Sequence, residues 1–110
     1  MKDKKFKVIV DRPYGSKHPL NTTLTYTLNY GYIAGMIAGD GEEQDAYIMD
    51  LKYPVKEYEG SLIAIVHRIN DVEDKWVIGR PGADYSVDEI TNEILFQEHF
   101  FEFEIIMVDR

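Results

Sequence analysis

Short runs of alternating polar and apolar residues dominate the first three quarters of the chain. Phe6, Val8 and Val10 share one parity against Lys5, Lys7 and Ile9, which predicts a half-buried first strand. The stretch from Asp11 to Asn21 breaks the pattern with two prolines, a glycine, a serine and an asparagine, so it reads as a loop. Leu24, Tyr26, Leu28, Tyr30 and Tyr32 then alternate with Thr23, Thr25, Thr27, Asn29 and Gly31, predicting a second strand rich in β-forming residues. Asp45 to Asp50, Ser61 to Ile69 and Lys75 to Ile78 are three further strands between turn signals at Pro54, Gly60, Asn70 and Gly79.

The pattern changes at Ser86. Ser86 with Glu89 forms a capping box, and Val87, Ile90, Ile94 and Leu95 follow at helical spacing, so a helix is expected to run from here to about His99 or Phe101. Phe101, Phe103, Ile105 and Met107 return to period two, as in a last strand or a continued helix. The expected fold is β-rich α+β, a small five-stranded barrel with a C-terminal helix. With 110 residues and 45% hydrophobic content, the chain suits one domain spanning 1–110.

Charge narrows the partners. Twenty Asp and Glu against twelve Lys and Arg give a net charge of −8, which repels nucleic-acid backbones and anionic lipid surfaces alike. Neither nucleic acid nor membrane is expected as a partner. Phosphate compounds stay open, because divalent cations can bridge carboxylates to a polyanion. The absence of cysteine excludes disulfides, thiolate metal sites and a cysteine nucleophile. The basic start, MKDKKFKVIV, meets Asp11 after a short apolar run and does not read as a signal peptide, and no apolar stretch nears the roughly 20 residues that span a bilayer. A cytoplasmic protein is expected.

Asp40, Glu42, Glu43 and Asp45 put four carboxylates in six residues around Gly41, oxygen ligands of the kind Mg²⁺ takes while keeping waters for substrate phosphates to replace. Acidic turns are common on solvated surfaces, so this one alone decides nothing. A second cluster, Asp71, Glu73 and Asp74, lies just before Lys75, at the end of another predicted strand. In a small barrel the two sets can converge on more than one divalent ion, with Lys75 as a point charge for phosphate, although an ordinary ion pair with Glu73 or Asp71 explains that lysine equally well.

The run Tyr26-Thr27-Leu28-Asn29-Tyr30-Gly31-Tyr32, followed by Asp40-Gly41-Glu42-Glu43-Gln44-Asp45, resembles the soluble (family I) inorganic pyrophosphatases. There a Tyr-x-x-Asn-Tyr-Gly-Tyr/Phe stretch precedes an Asp-Gly-Asp-Pro-x-Asp turn, and a later Asp and an Asp-x-Lys complete the site. The resemblance spans Tyr26 to about Val77, and it implies an OB-like barrel. It also implies Mg²⁺-dependent hydrolysis of inorganic diphosphate by a metal-activated water. Asp40, Glu42 and Asp45 would be metal ligands or water activators, with Asp71 and Glu73 as further ligands. Lys75 would bind phosphate, and Tyr26 and Tyr30 would offer hydroxyls.

The chain departs from that pattern in four places. Glu42 stands for an Asp, the turn lacks its proline, and Glu98-His99-Phe100-Phe101 replaces a Tyr-Lys pair after Glu-His. The first-strand Lys and Glu of the family find no match either, so Arg12 and Lys17, in the loop before Asn21, are candidates for the missing positive charge. A non-catalytic or weakly active relative, binding a nucleotide, another phosphate ligand or a protein partner, is the alternative. Hydrolysis of a different diphosphate is a third reading.

The remaining singular residues have structural readings. His18, His67 and His99 are too far apart in sequence for a zinc site. One of His67 and Arg68 is expected to face inward or pair with an acid, and Trp76 to be core. Phe96, Phe100, Phe101 and Phe103 are more aromatic surface than one helix needs, which fits contact with another subunit of a homo-oligomer or closure of the barrel's end.

Overall fold

The computed structural model describes residues 4–69 and 73–108. The elements follow in the order β1 (Lys5–Arg12), β2 (Asn29–Ile37), β3 (Glu43–Ile48), β4 (Glu57–Arg68), β5 (Asp74–Gly79), α1 (Val87–Glu98) and β6 (Phe103–Met107). Hydrogen bonding gives the strand order β1-β2-β3-β5-β4, and β4 pairs back onto β1, so five strands close a barrel. β6 is an additional strand. The length of β4 makes this possible: Glu57 to Ser61 face β1, Ala64 to Arg68 face β6, and β5 pairs along the other edge. All pairings are antiparallel except β3 with β5.

Two apolar clusters divide the side chains. Val8, Ile33, Ala46, Ile48 and Ile78, with Leu62 and Trp76 packed around them, come from all five barrel strands and fill the barrel. Trp76 is thus part of the core, meeting Phe6 edge to face at 5.1 Å. The second cluster includes Tyr26, Leu28, Tyr30, Tyr47, Ile63, Val66 and Val77 on the barrel wall, and Ile90 and Ile94 of α1. β3 serves both: Ala46 and Ile48 point into the barrel, Tyr47 toward the helix. Gly31 shows how tightly β1 and β2 meet, since a Cβ there would lie 1.9 Å from the Ile9 carbonyl oxygen.

The helix begins as the capping box dictates. Ser86 Oγ accepts the Glu89 N–H, and the Glu89 carboxylate accepts the Ser86 N–H. It ends at Glu98, with His99 as its cap, and the chain then turns into β6 rather than continuing as helix.

The second strand differs from its expected span. It starts at Asn29 and continues to Ile37, whereas residues 24–28 lie outside it. These residues pair instead with the loop before them, through Gly15 N–H to the Tyr26 carbonyl, Tyr26 N–H to Ser16 and His18 N–H to Leu24. Tyr26 and Leu28 are buried as the alternation requires, but in a self-paired loop. Among the described residues no helix is long and apolar enough to cross a membrane.

Candidate active site

The parallel register of β3 and β5 sets the centre of the site. Tyr47 lies opposite Val77, so two residues earlier Asp45 and Lys75 emerge side by side on the face turned toward α1. β2 adds Tyr30, which is paired with Tyr47. Lys75 Nζ donates to Asp45 Oδ2 at 2.6 Å and also to Glu73, two residues before it. The Lys75 side chain is only 5% exposed, and its ammonium lies between the Asp45 carboxylate of β3 and the Glu73 carboxylate just before β5.

Asp45 and Lys75 line a cleft of about 450 Å³ together with Tyr30 of β2, Arg68 of β4 and Gln97 of α1. Asp11 and Arg12 at the end of β1, and His18, Asn21, Leu24 and Tyr26 of the following loop, form another part of the lining, and Phe100 and Phe101 complete it. The loop is held by Asn29. This buried amide accepts the N–H groups of Tyr14 and Val55 and donates to the carbonyls of Leu51 and Tyr53, so one side chain joins the loop after β1 to the connection before β4. All four of its hydrogen-bonding positions are used.

Local electrostatics separate the two acids. Burial raises Asp45, but the hydrogen bond from Lys75, with Glu73 and Tyr30 beside it, outweighs burial and holds the carboxyl below its ordinary range. Burial prevails at Glu73 and raises it, against the opposing effect of Lys75. Tyr26 and Tyr30 are both raised by burial, so they stand as neutral hydroxyls.

Behind the cleft runs a polar network. Tyr26 Oη donates to Gln97 Oε1 at 2.8 Å, Gln97 Nε2 to Tyr47 Oη at 2.6 Å, and Tyr47 Oη to Glu98 Oε2 at 2.6 Å. Glu98 is fully buried and takes a two-pronged contact from Arg68, at 2.9 and 2.7 Å. The Arg68 guanidinium lies 3.7 Å from the Phe101 ring centre. Sequence reading left Gln97 and Glu98 out of the site and gave Arg68 only a structural part. Nothing local in the sequence signals this pair, because the partnership crosses 30 residues.

Of the residues singled out in the sequence, Tyr26, Tyr30, Asp45, Lys75 and Arg12 come together, with Glu73 joined through Lys75. Asp40 and Glu42 do not join them. They sit exposed on the turn before β3, where Asp40 Oδ1 accepts the Glu42 N–H, and they do not line the cleft. Lys17 is exposed and donates to Thr25 across the self-paired loop, also outside the lining. Asp71 lies outside the described residues.

Among the described residues no three His, Asp or Glu side chains gather as a metal cluster. Mg²⁺ is commonly held by one or two carboxylates, with waters and substrate phosphates completing its shell. Asp45 and Glu73, two oxygen donors converging on a single ammonium, fit that donor set.

The backbone fold is shared with solved structures. An inorganic pyrophosphatase from Ehrlichia chaffeensis superposes with a TM-score of 0.73 at 18% identity, over 96% of this chain and 86% of that one. One from Coxiella burnetii gives 0.66 at 17% identity, over 97% and 85%. One from Neisseria gonorrhoeae gives 0.62 at 20% identity, over 86% and 72%. The fold is the pyrophosphatase fold. No protein-family model and no curated protein matches the chain. The pyrophosphatase-like barrel therefore rests on backbone geometry, and it includes the closed five-stranded sheet, the added strand and the single late helix.

Proposed function

We propose that the cleft hydrolyses a phosphoanhydride, with inorganic diphosphate as the reference substrate. The observation that carries this reading is the convergence of Asp45, Lys75, Tyr30 and Arg12 on one cleft of a pyrophosphatase-like barrel. Three cationic side chains line it, Arg12, Arg68 and Lys75, in a protein whose net charge is −8. Arg12 can grip a phosphate through paired donors, and Lys75 can follow a phosphate oxygen on its flexible stem. Tyr30, as a neutral phenol, can donate a further hydrogen bond.

In the reaction a water oxygen bonds to one phosphorus and the bridging P–O bond breaks. The bridging oxygen leaves with the other phosphate. A proton released by the water passes to Asp45 and then to solvent or product. When Lys75 moves toward the phosphate it releases the Asp45 oxygen it now occupies, which is then free to take the proton. Lys75 and Arg12 meanwhile stabilise charge on the departing phosphate. Asp45 and Glu73 would hold Mg²⁺, which when bound would supply the charge that neutralises the phosphate oxygens. Asp40, Glu42 and Asp71 are proposed as outer contributors to cation binding by the resemblance alone, and Lys17 as an outer positive charge.

The second reading, a phosphate-binding relative without turnover, is favoured by two observations. Lys75 already spans both acids, and Phe100 and Phe101 stand at the cleft where the resembling family carries a Tyr-Lys pair. Phosphate release from diphosphate, with and without Mg²⁺, separates the two. Arg12→Ala should weaken diphosphate binding about tenfold, the loss of one charge-assisted contact, and leave the melting temperature nearly unchanged. Equal binding by the variant and the parent would remove the β1 end from the site.

A further inference from the structure

The cleft is larger and more aromatic than inorganic diphosphate requires. Its volume of about 450 Å³ lies in the range of pockets that enclose organic ligands, roughly 300–1,000 Å³. Diphosphate consists of two phosphoryl groups and has no apolar surface to offer. Yet two phenylalanines line the same cleft as Arg12, Arg68 and Lys75, and they remain 58% and 40% exposed at Phe100 and Phe101. The other two aromatic residues of the segment behave differently: Phe96 and Phe103 pack against the core cluster beside α1. Exposure is confined to the pair that meets the cleft.

The pair is held in place for contact. Arg68, fixed by its two bonds to Glu98, lies 3.7 Å from the Phe101 ring centre, and the His99 ring lies 4.0 Å from that of Phe100. On the loop side His18 stacks nearly parallel to Tyr26 at 6.2 Å. Its Nδ1 accepts the Leu20 N–H, so Nε2 carries the proton and can donate to a ligand. The cleft therefore joins a cationic, hydroxyl-bearing end to an exposed aromatic one. A planar ring joined to a phosphate chain matches both ends, and bases stack on such aromatic surfaces whatever their sequence identity.

Building on the phosphoanhydride reading of this same cleft, we infer that its preferred ligand is a nucleoside di- or triphosphate, with the phosphates at Lys75 and Arg12 and the base against Phe100 and Phe101. Calorimetric titration of the full chain in Mg²⁺, with inorganic diphosphate, inorganic triphosphate, adenosine diphosphate and adenosine triphosphate as probes, tests this. Each nucleotide should bind at least tenfold more tightly than the inorganic compound with the same number of phosphates. Phe100→Ala should lower nucleotide affinity about tenfold and inorganic diphosphate affinity by much less, and Phe100→Tyr should retain the preference. Phe100 is exposed, so the variants should melt like the parent. Nucleotides binding no better than their inorganic counterparts, or an equal loss for both in Phe100→Ala, overturns the inference and leaves phosphoanhydride hydrolysis standing. Failure of all four probes to bind overturns both.

Discussion

Arg68 and Lys75 lie on neighbouring strands of the same hairpin, line the same cleft and are almost equally buried, yet they are matched in opposite ways. Arg68 meets one carboxylate, Glu98, in a two-pronged contact that leaves the acid fully enclosed. Lys75 meets two, Asp45 and Glu73, each about a third exposed. The first is a rigid planar fork locked to a single partner, and the second is a point charge on a flexible stem shared between two. On the proposed reading the difference separates support from chemistry. Arg68 with Glu98 joins the end of α1 to β4 beside Phe101, whereas Lys75 would be free to leave its partly exposed acids for a phosphate.

The largest effect should come from breaking the locked pair. Glu98→Ala leaves the buried Arg68 charge without its main partner and removes the acceptor of Tyr47, so it should destabilise the fold by roughly 3–5 kcal/mol in urea unfolding. Replacing both partners, as Arg68→Met with Glu98→Leu, should recover part of that loss, because an apolar pair leaves no buried charge. A double variant as unstable as the sum of the two single ones would show that the contact is not the cause. Lys75→Met should cost less, about 1 kcal/mol, since solvent reaches both acids left behind. Its main effect should be on diphosphate binding. A Lys75 variant less stable than Glu98→Ala would reverse the assignment of support and chemistry.

The smallest effect concerns the opposite side of the same hairpin. His67 and Asp74 face each other across β4 and β5, with Nδ1 and Oδ1 2.8 Å apart and both side chains well exposed. The hydrogen bond to Asp74 raises the imidazole above its ordinary value near 6.5, against a lesser effect of desolvation. A folded value raised above the unfolded one means that the pair stabilises fully below about pH 6.5 and that the contribution is lost as pH rises through the folded value. The difference in melting temperature between the parent and Asp74→Asn should therefore be small, greatest in mild acid, and shrink toward zero at alkaline pH. A difference that grows with pH contradicts the pairing.

Much of this hairpin was legible in the sequence, because strand alternation, turn residues and the two-residue spacing of Glu73 and Lys75 are local signals. The capping box located the start of α1 for the same reason, while its end falls at Glu98, just short of the expected His99 or Phe101. The second strand starts later than expected because, although Tyr26 and Leu28 are buried on either side of exposed Thr27 just as in a sheet, the backbone hydrogen bonds of Leu24 and Tyr26 go to the preceding loop. The acidic turn divides in the structure. Asp45 enters β3 facing Lys75, while Asp40 and Glu42 stay on the exposed turn, and sequence spacing alone carries no sign of which acid follows the strand. Gln97 and Glu98 were hidden more deeply. Their roles depend on where the end of α1 lands against β4, and a helical pattern shows only which face is apolar, not what its last polar residues will meet.

The most direct measurement is phosphate release from inorganic diphosphate in Mg²⁺ by the parent and by Asp45→Asn, each first shown to be folded by its melting curve. Asn keeps the shape of the side chain but neither accepts a proton nor matches the Lys75 charge, so release should be rapid in the parent and fall at least a hundredfold in the variant. A folded Asp45→Asn protein that releases phosphate at the parental rate contradicts the placement of the chemistry between β3 and β5.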